Sequence, residues 1–332
     1  MIVEVASQIR YSHSIGQLSQ SGAGFNNPVD LAMGRGDRLY VLNRSNMAHA
    51  PMGILRVTIC TIDEEYIGQF GTFGTGDGQL VWPTSLALDR QDNVYISDEY
   101  RHDVQVFDRD GHFLRRWGTF GSDDGQLNRP SGLAVDNDGY VLVVDSLNNR
   151  VQKFSPDGRL PAKWGEPGDG PGQFNLPWGV AVDRCGQIYV ADWRNDRVQK
   201  FTSDGEYLAS LGSSGSGEGQ LSRPAGVAVD SSGTVYVSDY GNDRVQVFSA
   251  DGSPLETLLG EATMTKWAAP YVAADPEMSE LRERHAEEVR AQERVFEGPM
   301  GIEVDGQDRV LVADCCKHRV QVYTRTQVRG TA

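Results

Sequence analysis

The sequence predicts an all-β fold: a six-bladed β-propeller with four antiparallel strands per blade. Three observations carry that prediction. A unit of 47 residues recurs, with "GQLVWPTSLALD", "GQLNRPSGLAVD", "GQFNLPWGVAVD" and "GQLSRPAGVAVD" beginning at Gly78, Gly125, Gly172 and Gly219. Each unit continues with period-two apolar alternation punctuated by turn residues, the pattern of short half-buried strands. The two ends of the chain are complementary fragments of the same unit.

In the unit starting at Gly125, "GLAV" is a first strand, "DNDG" a tight turn and "YVLVVD" a second strand. A polar link leads to "RVQKF", "SPDG" reverses the chain, and "LPAKW" is the fourth strand. Four strands in 40–50 residues is the blade pattern, and one blade cannot bury both its faces, so blades must stack around an axis. A further copy reads "PMGIEVDGQDRVLVADCCKHRVQVY". A degenerate one reads "NPVDLAMGRGDRLYVLNRS", then "LRVTICTIDEEYIGQFG". Gly71, Gly118, Gly165 and Gly212 each precede the next unit's Pro by twelve residues, and Gly16 stands at that distance from Pro28. "RYSHSI" (10–15) is therefore a fourth strand lacking its first three, while the last unit ends at "RVQVYTR" without a fourth. An N-terminal strand closing the last blade removes two exposed sheet edges. Residues 1–332 read as a single domain.

Between Gly260 and Pro299 lie 38 residues where other units have eleven. This is a helical insertion, about 261–295, between blades 5 and 6. "DPEMSELRERHAEEVRAQERVF" predicts one helix with Asp275 as N-cap and Pro276 as its first residue. Met278, Leu281, His285 and Val289 form a thin apolar stripe on an otherwise charged helix, which places it on a surface. "RSNMAHAPMG" (44–53) lengthens the second-to-third-strand link of blade 1. Fourth-to-first loops and second-to-third links open on one face, here called the top. The two additions therefore share a face and a sector, which predicts a partial lid over the axial opening.

The recurring pattern P-x-G-(I/L/V)-A-V-D, then (V/I)-x-D-x-x-N-x-R-(I/V)-Q-x-F, resembles the NHL repeat. The resemblance implies a six-bladed NHL propeller. That family includes RNA- and protein-binding modules, sensor domains and a zinc-dependent amidating lyase, so it does not select an activity. In that lyase the resemblance implies zinc-binding histidines directly after the repeat Pro. Here those positions are Val29, Thr84, Ser131, Trp178, Ala225 and Met300, so no zinc site of that type is expected. Room remains for Ca2+ or another divalent ion in the channel.

The formal charge of −15, from 31 basic and 46 acidic residues, disfavours a surface for nucleic acid or for an anionic membrane. The start, "MIVEVASQIRYSHS", lacks a signal-peptide pattern, and no apolar run approaches the roughly 18 residues of a membrane span. Cys60, Cys185, Cys315 and Cys316 are too few for a disulfide framework. A cytoplasmic location is expected.

Repeats also supply an internal control: positions alike in every blade are structural, and departures are candidates for function. Asp98, Asp145, Asp192, Asp239 and Asp314 end the second strand of five blades, where they cap the link and pair with Arg. Departures cluster elsewhere. Asn43 replaces that Asp in blade 1, Asp30 and Ser85 stand where other blades have Gly, and His102 and Asp103 are peculiar to blade 2. Blade 6 carries Cys315, Cys316, Lys317 and His318 in its link. With Tyr100, Trp178, Trp193 and Tyr240 as walls and Asp30, Ser85 and Lys317 as polar contacts, these predict a top-face pocket on the axis for a small organic ligand or a peptide. The alternative is a lyase or hydrolase in the same pocket, possible metal assistance included. His102 and His318 would then act as acid and base, with Cys315 or Cys316 as nucleophile. A protein–protein scaffold is the third reading. No metal-ligand set is assigned.

Overall fold

The computed structural model describes residues 7–44 and 55–327. Six four-stranded antiparallel sheets, each in the order first-second-third-fourth strand, form six blades. In blade 3 the strands are Pro130–Val135, Val141–Asp145, Arg150–Phe154 and Ala162–Trp164. The six first strands are Pro28–Met33, Pro83–Leu88, Pro130–Val135, Pro177–Val182, Pro224–Val229 and Pro299–Val304. Each touches the first strand of both neighbouring blades, closing a ring around the axis. Blade 6 is completed as the chain ends predict: Ser7–Ile15 pairs antiparallel with Arg319–Gln327, from Ile15 opposite Val320 to Ser7 opposite Gln327.

Apolar alternation buries Val141, Val143, Val151 and Phe154 between blades, and the equivalent positions do likewise all round the ring. The repeat Asp completes blades 3–6 from within by pairing with Arg, whereas in blade 2 Asp98 takes backbone N–H groups alone and Arg101 pairs with Asp103. Asp145, fully buried, accepts the Asn128 N–H at 2.6 Å, Arg150 Nε at 2.8 Å and Gln152 Nε2 at 3.0 Å. Arg150 reaches on to the carbonyls of Ser122, Asp123 and Gln126 in the preceding interblade loop. These carboxylates are saturated by donors, so they form locks within blades and not a ring of free ligands on the axis.

The Gly of P-x-G is required by close approach. A Cβ on Gly179 would lie 2.4 Å from the Ala225 carbonyl oxygen, and one on Gly132 would lie 2.4 Å from that of Trp178. Gly226 faces Met300 in the same way. The first strands thus pinch the axis at this level, and side chains there are admitted only in blades 1 and 2, as Asp30 and Ser85.

The insertion differs from the single helix expected. It forms α1 (Ala269–Ala274), α2 (Pro276–Arg284) and α3 (Ala286–Arg294). Asp275 is extended and its carbonyl accepts the Ser279 N–H, so the predicted cap holds. The chain bends at His285 (φ −112°, ψ 30°), which brings Arg282 to 2.7 Å from Glu293. Residues eleven apart in a straight helix would stand about 16 Å apart along its axis, so the ion pair exists only because of the bend. The side chains of Met278, Leu281 and Val289 in the proposed stripe lie outside the described residues. So does most of the lengthened blade 1 link, 45–54.

Among the described residues, the first part of the insertion meets the propeller at the junction of blades 6 and 1. Thr263 contacts Tyr11 and Ser14 of the closing strand, Lys266 engages Asp63 and Glu64 of blade 1, and Trp267 packs edge-on against Phe25 at 5.7 Å. Lys317 then holds the Gln292 carbonyl near the end of α3. Residues 261–267 act as a clasp across the junction of blades 6 and 1.

Candidate functional site: the axial channel and the basin above it

A cavity of about 660 Å³ runs along the axis, lined by all six first strands. Its upper end is stopped by the residues after the strand-initial prolines. Val29, Thr84, Ser131, Ala225 and Met300 are buried and Trp178 is partly buried. Its lower end reaches Gly34, Arg35, Asp89, Arg90 and Asp136 in the first-to-second-strand turns. The cavity therefore opens on the face opposite the second-to-third links, whereas the sequence placed a pocket on the link face. Asp30, Ser85 and Trp178 line it, and Tyr100, Trp193, Tyr240 and Lys317 do not.

Asp30 sits at the pinch. Ser85 Oγ donates to Asp30 Oδ2 at 2.5 Å, and the Leu86 and Leu31 N–H groups donate to the same carboxylate at 3.0 Å. Ser85 Oγ in turn accepts the Leu133 N–H at 3.0 Å, so one hydrogen-bond chain ties blades 1, 2 and 3. Burial pushes the Asp30 carboxyl up to about 6, against the opposing pull of these three donors. A second carboxyl shares the channel. Glu303 accepts the Met33 N–H at 2.9 Å, and burial, with Asp30 and Asp305 nearby, raises it well above the usual carboxylate range. Sequence reasoning missed Glu303, although the signal was present: the other five blades have Ala32, Ala87, Ala134, Ala181 and Ala228 at that position. Among the described residues no group of three or more His, Cys, Asp or Glu could hold a metal ion.

On the link face, above the stopper, the residue following the second-strand Asp or Asn differs in every blade, and two of the six, Ser146 and Cys315, are buried. These are Arg44, Glu99, Ser146, Trp193, Tyr240 and Cys315, six different residues in an otherwise repetitive chain. Trp178 and Trp193 have ring centroids 5.5 Å apart, and Trp193 and Tyr240 5.2 Å apart, which makes a continuous aromatic row on one side of the basin. Arg44, also unremarked in the sequence, lies over the Trp82 ring at 4.9 Å. Tyr100 stands exposed on blade 2.

His102 and His318 occupy a repeat position in the left-handed region, with φ of 57° and 55°. Asn149, Asp196 and Asp243 hold the equivalent places at 50–51°. Asn, Asp and His tolerate this region better than most residues do. All five do one job: each accepts the backbone N–H of the residue before the next blade's Pro. His102 Nδ1 takes Arg129 N–H at 3.1 Å and His318 Nδ1 takes Asn27 N–H at 3.0 Å. Asn149, Asp196 and Asp243 take those of Leu176, Arg223 and Gly298 at 2.7–2.8 Å. Accepting at Nδ1 leaves the proton on Nε2, and burial lowers both imidazoles below their usual value, so both rings are neutral. They belong to two different blade junctions, 2–3 and 6–1. Nothing in the described structure orients either toward a nucleophile.

The four cysteines are free thiols. Cys315 is buried, and its hydrogen bond to Cys316, with burial, keeps it protonated. The same bond leaves the exposed Cys316 the more acidic of the two. Cys60 is in the core, its thiol pushed up to about 12 by burial. No helix among the described residues is long and apolar enough to cross a membrane.

The repeat has relatives. The NHL repeat model matches residues 80–107, 127–154, 174–201, 221–248 and 296–323, one copy in each of blades 2–6. The chain is an NHL-repeat β-propeller. A stretch of it is 35% identical over 48 residues to Protein brain tumor of Drosophila melanogaster, covering 14% of this chain and 5% of that protein. Another match, to Protein lin-41 of Caenorhabditis elegans, is 41% identical over 44 residues, 13% of this chain and 4% of that protein. Each match thus spans only about a twentieth of the curated relative's own length. Among solved structures, a streptogramin B lyase superposes with a TM-score of 0.57 at 11% identity, over 96% of this chain and 98% of that one. An auxiliary nutrient binding protein from Bacteroides thetaiotaomicron gives 0.63 at 10% identity, over 96% and 77%. A catalytically inactive virginiamycin B lyase from Staphylococcus aureus with quinupristin gives 0.57 at 10%, over 96% and 99%. At these identities the likeness is one of fold.

Proposed function

We propose that this NHL propeller is a binding protein that takes a small organic ligand or a short peptide in the basin on the link face, above the stopped axis. The observation that carries the reading is the aromatic row Trp178–Trp193–Tyr240, partly exposed and continuous across blades 4 and 5. Rings in such a row offer area at low entropic cost, and each can stack on a planar ligand group or pack on an apolar side chain. The variety of the six basin residues supports the same reading, since nothing in the repeat's packing demands six different side chains there. Binding is favoured over acid–base chemistry because both histidines are engaged in interblade hydrogen bonds that Asn or Asp serves elsewhere. Solved structures of this fold include a nutrient binding protein and lyases, so the fold itself suits either role. The insertion is read as a clasp at the junction of blades 6 and 1, so the basin is taken as open.

The test is a ligand-observed NMR screen of small aromatic acids, amides and tripeptides against the wild type, Trp193→Leu and Asp30→Ala. Hits that weaken at least about tenfold in Trp193→Leu and persist in Asp30→Ala are expected, in line with loss of a central aromatic anchor. Hits abolished by Asp30→Ala but untouched by Trp193→Leu would move the site into the axial channel and refute the reading.

A further inference from the structure

We propose that Arg44 is the anchor of a carboxylate-binding site at the edge of this basin, and that the ligand carries one carboxylate beside a planar ring. The inference rests on the basin reading above and adds the chemistry of its polar end.

Arg44 follows Asn43 at the end of the second strand of blade 1, and its backbone N–H is held by the Asn27 carbonyl. Its side chain makes neither a hydrogen bond nor an ion pair with any described residue, and its Nη1 is fully buried without a partner. One face of the guanidinium is covered by Trp82. Burial lowers its affinity for its proton, and Cys315, Glu99 and Tyr240, basin residues of three other blades, lie within electrostatic reach. The head group therefore points toward the axis. Glu99, the acid of that set, is spent on Arg129 at 3.1 Å. The segment that follows Arg44, "SNMAHAPMGI" (45–54), contains no Asp or Glu, so the chain brings no carboxylate from there.

A guanidinium withdrawn from water costs several kcal/mol unless paired, and natural proteins rarely leave one orphaned. Arg150, Arg244 and Arg319 each pair with the repeat Asp and with backbone carbonyls, and Arg38, whose Nε is also buried without a partner, still places its head group on Asp110. Arg44 is the departure. Its fork matches a carboxylate bidentately, and its Trp82 backing fixes the plane of that contact. One cation with Glu99 nearby balances a single negative charge, which favours a carboxylate over a phosphate dianion. The residue retains some exposed surface, so a carboxylate can reach it from the basin. The aromatic row from Trp178 to Tyr240 would hold the ring of the same ligand.

Isothermal titration with phenylacetate, its neutral counterpart phenylacetamide and inorganic phosphate tests this on the full chain. The wild type is expected to bind phenylacetate about tenfold more tightly than phenylacetamide. Arg44→Met should abolish that preference, and Arg44→Lys, which keeps the charge and loses the fork, should fall between. Without ligand, Arg44→Met should melt at a higher temperature than the wild type, since it removes an unpaired buried charge. A wild type with no preference for the acid, or with no binding of either probe, overturns the inference. Retention of the preference in Arg44→Met, or a lowered melting temperature for that variant, overturns it too. Displacement of phenylacetate by phosphate in an Arg44-dependent way would replace carboxylate by phosphate and so also refute the assignment. Trp193→Leu separates the two readings. Weakening of acid and amide alike upholds the basin whatever Arg44 does. If Trp193→Leu binds both normally, the aromatic wall fails while Arg44 is judged on its own variants.

Discussion

Replacing Asp30 by Asn gives a pH-dependent stability change that can be worked from the structure. In the wild type, burial raises this carboxyl from 3.8 to about 6. Ionising it therefore costs about 3 kcal/mol more in the folded chain than in the unfolded one. The sign follows from which state binds the proton. Between pH 4 and 6 the folded protein holds a proton that the unfolded chain has released, so wild-type stability falls as the pH rises through this window. Above it the full cost is present, and below pH 4 it vanishes. The amide introduced by Asp30→Asn cannot ionise, yet its carbonyl oxygen can still accept from Ser85 Oγ and Leu86 N–H as Asp30 Oδ2 does. Its amide nitrogen cannot accept from Leu31 N–H, a loss of about 1 kcal/mol that does not vary with pH. Urea unfolding at pH 4 and pH 8 is the assay. Asp30→Asn should be slightly less stable than the wild type at pH 4 and about 2 kcal/mol more stable at pH 8, with the crossover near pH 4.5. A difference between the two proteins that is the same at both pH values would refute the reasoning, and so would a variant that loses ground to the wild type between pH 4 and pH 8. All other titrating groups except Glu303 cancel in the comparison. Glu303 reinforces the trend, because loss of the neighbouring negative charge eases its own ionisation.

Two further outcomes follow from contacts between blades. Gly179→Ala should cost about 3 kcal/mol or more, because its Cβ would meet the backbone of Ala225 and Gly226 at 2.4 and 3.0 Å. Gly68→Ala, with nothing within 4 Å, should be neutral or slightly stabilising in the same melt. His318→Asn should leave stability within about 0.5 kcal/mol of the wild type, since Asn serves at Asn149. His318→Leu should cost about 1–3 kcal/mol by stranding the Asn27 N–H. Equal losses in the two His318 variants would mean that His318 has a role beyond accepting that hydrogen bond.

Much of the fold was legible because its determinants are local and repeated. Turn residues and period-two alternation delimit each strand, and the twelve-residue spacing from Gly16 to Pro28 revealed which blade the N-terminal strand must join. The site was less legible, for a specific reason. Asp30 and Glu303 announce themselves as departures from Gly and Ala, yet how each is bonded depends on what the next blade places opposite it. His102 and His318 looked chemical as residue types. Across the junction each meets a backbone N–H that the blade's own sequence does not mention.

The insertion teaches the same lesson. Topology rightly assigns its loop to the link face, but Trp267 finds Phe25 and Lys266 finds Glu64 at the junction of blades 6 and 1, so the segment fastens the closing blade. By itself the sequence determined the six blades, their closure and the positions where the repeat is broken, because those are properties of spacing along one chain. Only the tertiary structure decided which face the axial cavity opens on, which histidines are already occupied and that Arg44 has no partner among the described residues. Those depend on distances between blades that adjoin in space, where side chains tens to hundreds of residues apart are brought into hydrogen-bonding range or left out of it.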